Sequence, residues 1–385
     1  MQRIKLLYII TKLELGGAQK QLLSLIRGLD KEKFSPFLFT AKSGLLLADA
    51  LSIPELTIRK SQFLERNINP LKDTLSLIEI YWFIKKNNVE IVHTHSSKAG
   101  ILGRLATRLA KVKIIVHTVH GWPFNECQPG LLRKLYIELE KFAAQFTHKL
   151  IVVSDYDKQI GLKNNIGTEI KYGLMRYGID YDLFNSKEKN IREELGIKEN
   201  ELVVTDISCF KPQKCPSDFI KLAYLAGKEF SSAKFILVGD GILRKYAEKL
   251  IFKLNLQKQV ILTGWRKDIH AILSATDVLV LTSLWEGLPI VVLEAMAAKK
   301  PVIATHTGGV KEVIAEDKTG FLVPRHDIKK MSEKLVTLLR NEALRKQMGE
   351  AAKNNLGYNF TLENMVKYNQ DLYECLIREE GSYVH

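Results

Sequence analysis

The residues whose types and spacing most invite chemistry lie in Ser283-Leu284-Trp285-Glu286-Gly287-Leu288-Pro289-Ile290-Val291-Val292-Leu293-Glu294-Ala295-Met296. Gly287 permits a tight turn after a strand, and Pro289 suits the first turn of the helix that follows. Glu286, at that helix start, is explained by the helix dipole alone. Glu294 is not. It sits among Val291, Val292, Leu293, Ala295 and Met296, where a carboxylate is costly unless partnered. A hydroxyl-rich ligand is a suitable partner, and the open helix N-terminus beside it offers amides to phosphate or sugar.

Upstream, Phe210-Lys211-Pro212-Gln213-Lys214 lies between a strand and a helix. Lysines there suit a diphosphate, since a point charge on a flexible stem can follow developing negative charge; a solvated loop is the plain alternative. Val238-Gly239-Asp240-Gly241 and Gly264-Trp265-Arg266 follow the next two strands, and Gly239 permits close backbone approach. Leu15-Gly16-Gly17-Ala18-Gln19 opens the first helix, where a tight turn explains the glycines equally well. His93, His95, His117 and His120 lie at two strand ends and read as cleft lining, as catalytic groups or as structural histidines. Metal is the poorer reading, because no Asp or Glu lies in either motif and Cys127, Cys209, Cys215 and Cys375 are scattered without a C-x-x-C pair.

The elements that must position these residues form a repeated pattern. Short β-branched runs at Ile4–Ile10, Phe37–Thr40, Val89–His93, Lys113–His117 and Leu150–Val153 alternate with helical stretches near 17–29, 70–87, 97–110, 130–147 and 155–164. The alternation restarts with runs at Val203–Ser208, Lys234–Val238, Gln259–Thr263, Val278–Leu281 and Val302–Ala304, and helices near 215–229, 242–254, 289–298, 309–315 and 327–340. Near-continuous apolar strands between helices imply parallel sheets covered on both faces. Tyr172 to Lys189 reads as a linker. The reading is therefore two doubly wound α/β domains facing across a cleft, 1–183 and 184–360. A last helix in 361–385 is free to pack back on the first domain. Such sheets bind ligands beyond the carboxyl ends of their strands, where the motifs above all fall.

The 385 residues are 46% hydrophobic and 26% charged, which excludes wholesale disorder. No run is long enough to span a bilayer, and Ile4–Ile10 lacks the cleavage site of a secretory signal, so a cytoplasmic protein is expected. Residues 1–183 hold 27 Lys and Arg against 17 Asp and Glu, whereas residues 184–385 hold 30 against 26. The first domain is thus drawn to something anionic. Arg104, Arg108 and Lys111 form a basic stripe beside Ile101, Leu105, Leu109 and Val112, and Arg59, Lys60, Arg66 and Lys72 add to it. An anionic membrane surface or a lipid-diphosphate acceptor fits, a solvated helix is the alternative, and nucleic acid is not expected without a recognised module.

Taken in order, GGAQ, HTHSSKAG, HTVHG, KPQK, LVGDG, ILTGWR, SLWEGLPIVVLEAMA and PVIATHTGGVKEVI resemble the motifs of family 4 retaining glycosyltransferases of the GT-B fold, over nearly the whole chain. The resemblance implies that Glu294 binds the ribose of a nucleotide-sugar donor and that Glu286 faces the donor sugar. The amides of Gly287 and Leu288 would hold sugar hydroxyls or the diphosphate, and Lys214 would meet the diphosphate. Arg266 would lie near the base, and Gly16 and Gly17 would meet the donor phosphates from the other domain. His120 matches the histidine near the anomeric carbon, so His120, Glu286 and Lys214 are the catalytic candidates. His95, Arg104, Arg108 and Lys111 belong to the acceptor or membrane side. Two positions depart from the pattern: Ser208-Cys209-Phe210 replaces Gly-Arg-Leu, leaving Lys211 as the second cation, and Gln19 replaces a common Glu.

The resemblance implies transfer from a UDP-hexose or UDP-N-acetylhexosamine to a lipid-linked or growing surface glycan, with no metal and no cofactor. Lysines and helix amides would stabilise the departing diphosphate. Asp155-Tyr156-Asp157 and Asp180-Tyr181-Asp182 match the manganese-binding D-x-D pattern of the other large glycosyltransferase fold. The first reads as a helix cap and the second as linker. Peripheral attachment to the inner face of the plasma membrane is expected. The alternatives are a catalytically silent sugar-nucleotide-binding or membrane-associated partner protein, and a GT-B relative such as a UDP-sugar 2-epimerase.

Overall fold

The computed structural model describes residues 3–184 and 190–382. The backbone divides into two compact units, one running to Gly178 and resuming at Leu362, the other spanning Ile179–Thr361. The basic end of the linker segment, residues 185–189, lies outside the described residues.

The first unit is a seven-stranded parallel sheet made of β1 (Ile4–Ile9), β2 (Phe34–Ala41), β3 (Thr57–Ser61), β4 (Ile91–His95), β5 (Ile114–Val119), β6 (Lys149–Val152) and β7 (Tyr172–Leu174). Their order is β3-β2-β1-β4-β5-β6-β7, so the winding reverses between β1 and β4. Helices α1 (Gly17–Gly28), α2 (Leu47–Leu51), α3 (Pro70–Asn87), α4 (Ser97–Leu109), α5 (Gly130–Gln145) and α6 (Asp155–Lys163) join them. All residues of β4 and β5 are buried, as expected of central parallel strands covered on both faces. The bounds of α3 follow from local chemistry. The Asn69 side chain accepts from the Lys72 amide at 3.1 Å, Pro70 opens the helix, and Asn88 closes it in the left-handed region at φ 50°.

The second unit is a six-stranded parallel sheet of β8 (Val203–Ile207), β9 (Lys234–Val238), β10 (Val260–Gly264), β11 (Val278–Leu281), β12 (Val302–Thr305) and β13 (Gly320–Val323). The order is β10-β9-β8-β11-β12-β13, with its own reversal between β8 and β11. It carries α7 (Ile191–Glu194), α8 (Pro216–Glu229), α9 (Arg244–Lys253), α10 (Ile269–Ala275), α11 (Ile290–Ala297), α12 (Ile328–Arg340) and α13 (Glu342–Leu356). The core centres on Phe210, Phe219, Phe235 and Leu335. The last helix, α14 (Leu362–Ser382), packs on α1 of the first unit, where Tyr373 is fully buried against Phe34 and hydrogen-bonded to Tyr8 at 3.1 Å.

Three departures from the sequence reading have physical reasons. The segment read as linker from Tyr172 starts with strand β7, which pairs with β6 at the sheet edge. Residues 309–315, read as a helix, form only a 3-10 turn at Gly308–Glu312. Helix α4 is turned differently from its apolar periodicity: it buries Ala99, Gly100, Gly103, Arg104, Ala106 and Thr107, and leaves Leu109 exposed. Arg104 is therefore not part of a basic surface stripe. Its guanidinium is fully buried, 2.6 Å from the Glu140 carboxylate of α5 and 2.8 Å from the Gly100 carbonyl. Gly100 and Gly103 bring α4 close to the sheet, where a Cβ would meet the His117 ring and the Thr94 methyl group. Arg108 and Lys111 remain exposed at the end of the same helix.

Candidate active site

In each unit several of the residues singled out above, Lys211, Lys214 and Glu286 in one and the histidines in the other, lie at or beyond the carboxyl ends of the strands near the reversal, the crevice open α/β sheets use for ligands. In the second unit, the turn after β8 is the 3-10 segment Pro212–Lys214. Two hydrogen bonds tie it to the loop after β11: the Leu284 amide donates to the Gln213 carbonyl at 2.7 Å, and Gln213 Nε2 donates to the Trp285 carbonyl at 2.7 Å. The Thr282 hydroxyl donates to the Lys214 carbonyl at 3.0 Å. These contacts bring the Lys214 ammonium onto the Glu286 carboxylate in a short ion pair, with side chains 17% and 8% exposed. Lys211 caps the same 3-10 turn and is partly buried.

Behind this pair stands Asp206, on β8 and fully buried. It accepts from the Ser208 hydroxyl at 3.2 Å through Oδ2, while Oδ1 has no hydrogen-bond partner. Burial pushes its carboxyl up to about 7, against the opposing pull of the Lys214 charge. Nothing in the sequence reading pointed to Asp206, because one acid in a strand carries no spacing signal.

Glycines bring backbone close around the pair. Gly239 has φ 134°, and a Cβ there would come within 2.0 Å of the Ser208 carbonyl oxygen, so only glycine fits. Gly287 does not adopt a positive φ; Gly308 does, at 48°, and a Cβ there would come within 1.8 Å of the Glu286 carbonyl oxygen. The glycine that the Glu286 loop most needs is thus 22 residues downstream of it, in a segment whose role spacing alone does not disclose. The Gly309 amide also donates to the Gly287 carbonyl at 2.8 Å. Leu288 is buried, and Glu294, partly buried on α11, lies a little over one turn inside that helix. Arg266 stands apart from this group. Its guanidinium is forked onto Asp268, with contacts of 2.8 and 2.6 Å, and paired with Glu194, which holds it firmly protonated.

In the first unit the four histidines form a neutral cluster. His120 Nε2 lies 2.9 Å from His95 Nδ1, and His120 Nδ1 lies 2.7 Å from the Tyr177 hydroxyl. His93 sits between Tyr373, at 2.6 Å, and Thr118, at 2.7 Å. Burial lowers His93 and His120 to about 3, and holds His95 and His117 well below the ordinary imidazole range. Both ring nitrogens of His120 are engaged, so it presents a fixed, uncharged ring rather than a free base. His95 Nε2 is buried without a hydrogen-bond partner. A cavity of about 30 Å³ beside His120 is lined by Ser96, Ser97, Thr118 and Glu140, among others. Gly16 and Gly17 open α1 after β1, and no acidic residue occupies its first turn.

The D-x-D matches are local structure. Ser154 caps α6, accepting from the Asp157 amide at 3.0 Å and donating to the Asp157 carboxylate at 2.5 Å, while Asp155 pairs with Arg176 at 2.9 Å. Asp180 accepts from the Asp182 amide at 3.2 Å. Among the described residues, the cluster of donor atoms close enough for a cation is Cys215, Asp218 and His326, where His326 Nδ1 already lies 2.6 Å from Asp218.

Comparison with known proteins agrees with this arrangement. Residues 15–170 match the model of Glycosyltransferase Family 4, and residues 187–355 match that of Glycosyl transferases group 1. The chain is 35% identical to the UDP-Gal:alpha-D-GlcNAc-diphosphoundecaprenol alpha-1,3-galactosyltransferase of Escherichia coli, over 96% of this chain and 97% of that one. Two solved structures share the fold at 20% identity. Sucrose-phosphate synthase of Thermosynechococcus elongatus has a TM-score of 0.86 over 98% of this chain and all of its own. Anabaena HepE in complex with UDP and glucose has a TM-score of 0.83 over 97% of this chain and all of its own. The chain belongs to the family 4 glycosyltransferases, with two Rossmann-like domains of the GT-B fold.

Proposed function

We propose that this protein is a retaining, metal-independent glycosyltransferase that moves a hexose or N-acetylhexosamine from a UDP-sugar to a lipid-linked diphosphate glycan in surface polysaccharide synthesis. The observation that carries the reading is the full-length likeness to an enzyme named for a UDP-galactose donor and a diphosphoundecaprenol acceptor. The Lys214–Glu286 pair among close-approach glycines supports it. An arriving diphosphate competes with Glu286 for Lys214, and the released carboxylate turns to the hydroxyls of the donor sugar. Glu294 takes the ribose, and Lys211 stands in for the arginine that Cys209 replaces. Arg266, with Gly16 and Gly17, completes the donor contacts proposed for the base and phosphates.

As the sugar–phosphate bond breaks, negative charge grows on the diphosphate and positive character on the sugar. Lys214, exchanged from Glu286 to the diphosphate when the donor binds, then meets the former, which is the task a divalent cation performs elsewhere. His120, fixed and neutral, contacts the reacting sugar without adding positive charge. The acceptor hydroxyl attacks from the face the diphosphate leaves, passing its proton to the leaving oxygen, so the configuration is retained. The acceptor is membrane-borne, and the enzyme attaches peripherally to the inner face of the plasma membrane.

The test is transfer from UDP-galactose, UDP-glucose and UDP-N-acetylglucosamine to a polyprenyl-diphosphate-linked N-acetylglucosamine in excess chelator, with product stereochemistry read by NMR. An α-linked product under chelation is expected. A β-linked product, or activity restored only by manganese, would refute the mechanism; donor binding without turnover would point to a silent module.

A further inference from the structure

Helix α5 buries one side and leaves the other apolar. Its inner side holds Glu140, Ala143 and Ala144, and the buried Arg104–Glu140 pair fixes that orientation. Leu131, Leu135, Leu139 and Phe142, at i, i+4, i+8 and i+11, share a single outward stripe. They are 85%, 51%, 36% and 50% exposed. Scattered exposed leucines need no explanation, but four large apolar side chains in one stripe need a partner.

The chemistry of that partner is indicated along the edge of the stripe. A shallow groove of about 430 Å³ runs between α5 and the end of α6, lined by Arg133, Lys134, Lys141 and Lys163. Its one carboxylate, Glu138, is matched by Lys141 at 2.9 Å. Arg133 Nε is buried there without a hydrogen-bond partner. A second copy of the chain, docking through the same patch about a two-fold axis, would set these cations against one another. An anionic bilayer satisfies both halves at once, with acyl chains for the stripe and phosphates for the groove.

We infer that α5 is the membrane-seating element, lying in the interface of an anionic bilayer with Leu131, Leu135, Leu139 and Phe142 in the acyl boundary and the Arg133–Lys163 groove on lipid phosphates. This rests on the membrane-borne acceptor proposed above and names the surface that reading leaves open. The placement also serves the site. The same helix supplies Glu140 to the cavity beside His120, so a helix seated on the lipid holds that cavity near the headgroups.

Flotation with phosphatidylcholine vesicles, with and without phosphatidylglycerol, tests the assignment. The wild-type chain floats only with the anionic vesicles, and salt weakens the effect. Leu131→Glu/Leu135→Glu/Phe142→Glu lowers the floated fraction roughly tenfold or more, as loss of this much apolar burial requires. Lys134→Glu/Lys141→Glu lowers it as well. Circular dichroism checks folding, and Leu131→Ser/Phe142→Ser, which leaves the charge unchanged, reproduces the loss should the acidic variant unfold. The assignment is overturned if the wild type stays unbound, if the triple variant floats undiminished, or if the stripe variants instead convert a dimer to a monomer in gel filtration. Sugar transfer to a water-soluble short-chain acceptor separates the two readings. The triple variant keeps it at the wild-type rate, whereas a wild type that floats but never transfers refutes the function and leaves the surface standing.

Discussion

Asp206 shows how a single buried group can tune a site it does not enter. Its carboxyl titrates near 7 in the folded chain, above the ordinary aspartate range of the unfolded one. Folding therefore takes up a proton between the two values, and stability falls as pH rises through that window before levelling off above it. Asp206→Asn removes the term. The variant is expected to resist urea better than wild type at about pH 8, with the advantage gone near about pH 4. A variant less stable at every pH would mean that the ionised carboxylate is held by partners. Arg104 is the opposite case, a buried charge that is matched. Arg104→Ala strands Glu140 and should cost about 3–5 kcal/mol in denaturant unfolding, whereas a loss below about 1 kcal/mol would contradict the buried pair.

Among the elements, the turns matter more than the strands they follow. Gly308→Ala places a methyl group against the Glu286 carbonyl in a left-handed backbone region. The expected result is a lowered melting temperature together with weaker UDP binding, because the displaced loop carries Glu286 and Gly287; UDP binding unchanged in a destabilised chain would detach that turn from the site. The central strands and the helices α3 and α12 are legible because their periods and caps agree with their burial. Other elements were not. Strand β3 is a largely exposed edge, and α13 buries only Met348, Gly349, Ala352 and Leu356, which is too little apolar surface for a stripe. The Lys214–Glu286 meeting could be anticipated from two motifs at strand ends, since parallel sheets bring such ends together. Asp206 and the Tyr177–His120–His95 chain could not, because each depends on contacts between segments distant in sequence. The outward face of α4 was misread because a buried ion pair mimics a basic stripe.

At the scale of the molecule, the same doubly wound plan occurs twice and the two copies differ in charge chemistry. The first unit gathers uncharged histidines and an apolar-and-basic helix face; the second gathers the Lys214–Glu286 ion pair near the buried Asp206 carboxyl. In the function proposed above, this site takes the donor diphosphate with protein charge alone. Calorimetric titration of the full chain with UDP in excess chelator, comparing wild type with Lys214→Ala, is the decisive measurement. Saturable binding by the wild type is expected, weakened at least about tenfold in the variant, the loss of one charge-assisted contact. Binding that appears only when manganese is added, or that is equally tight in Lys214→Ala, would contradict it.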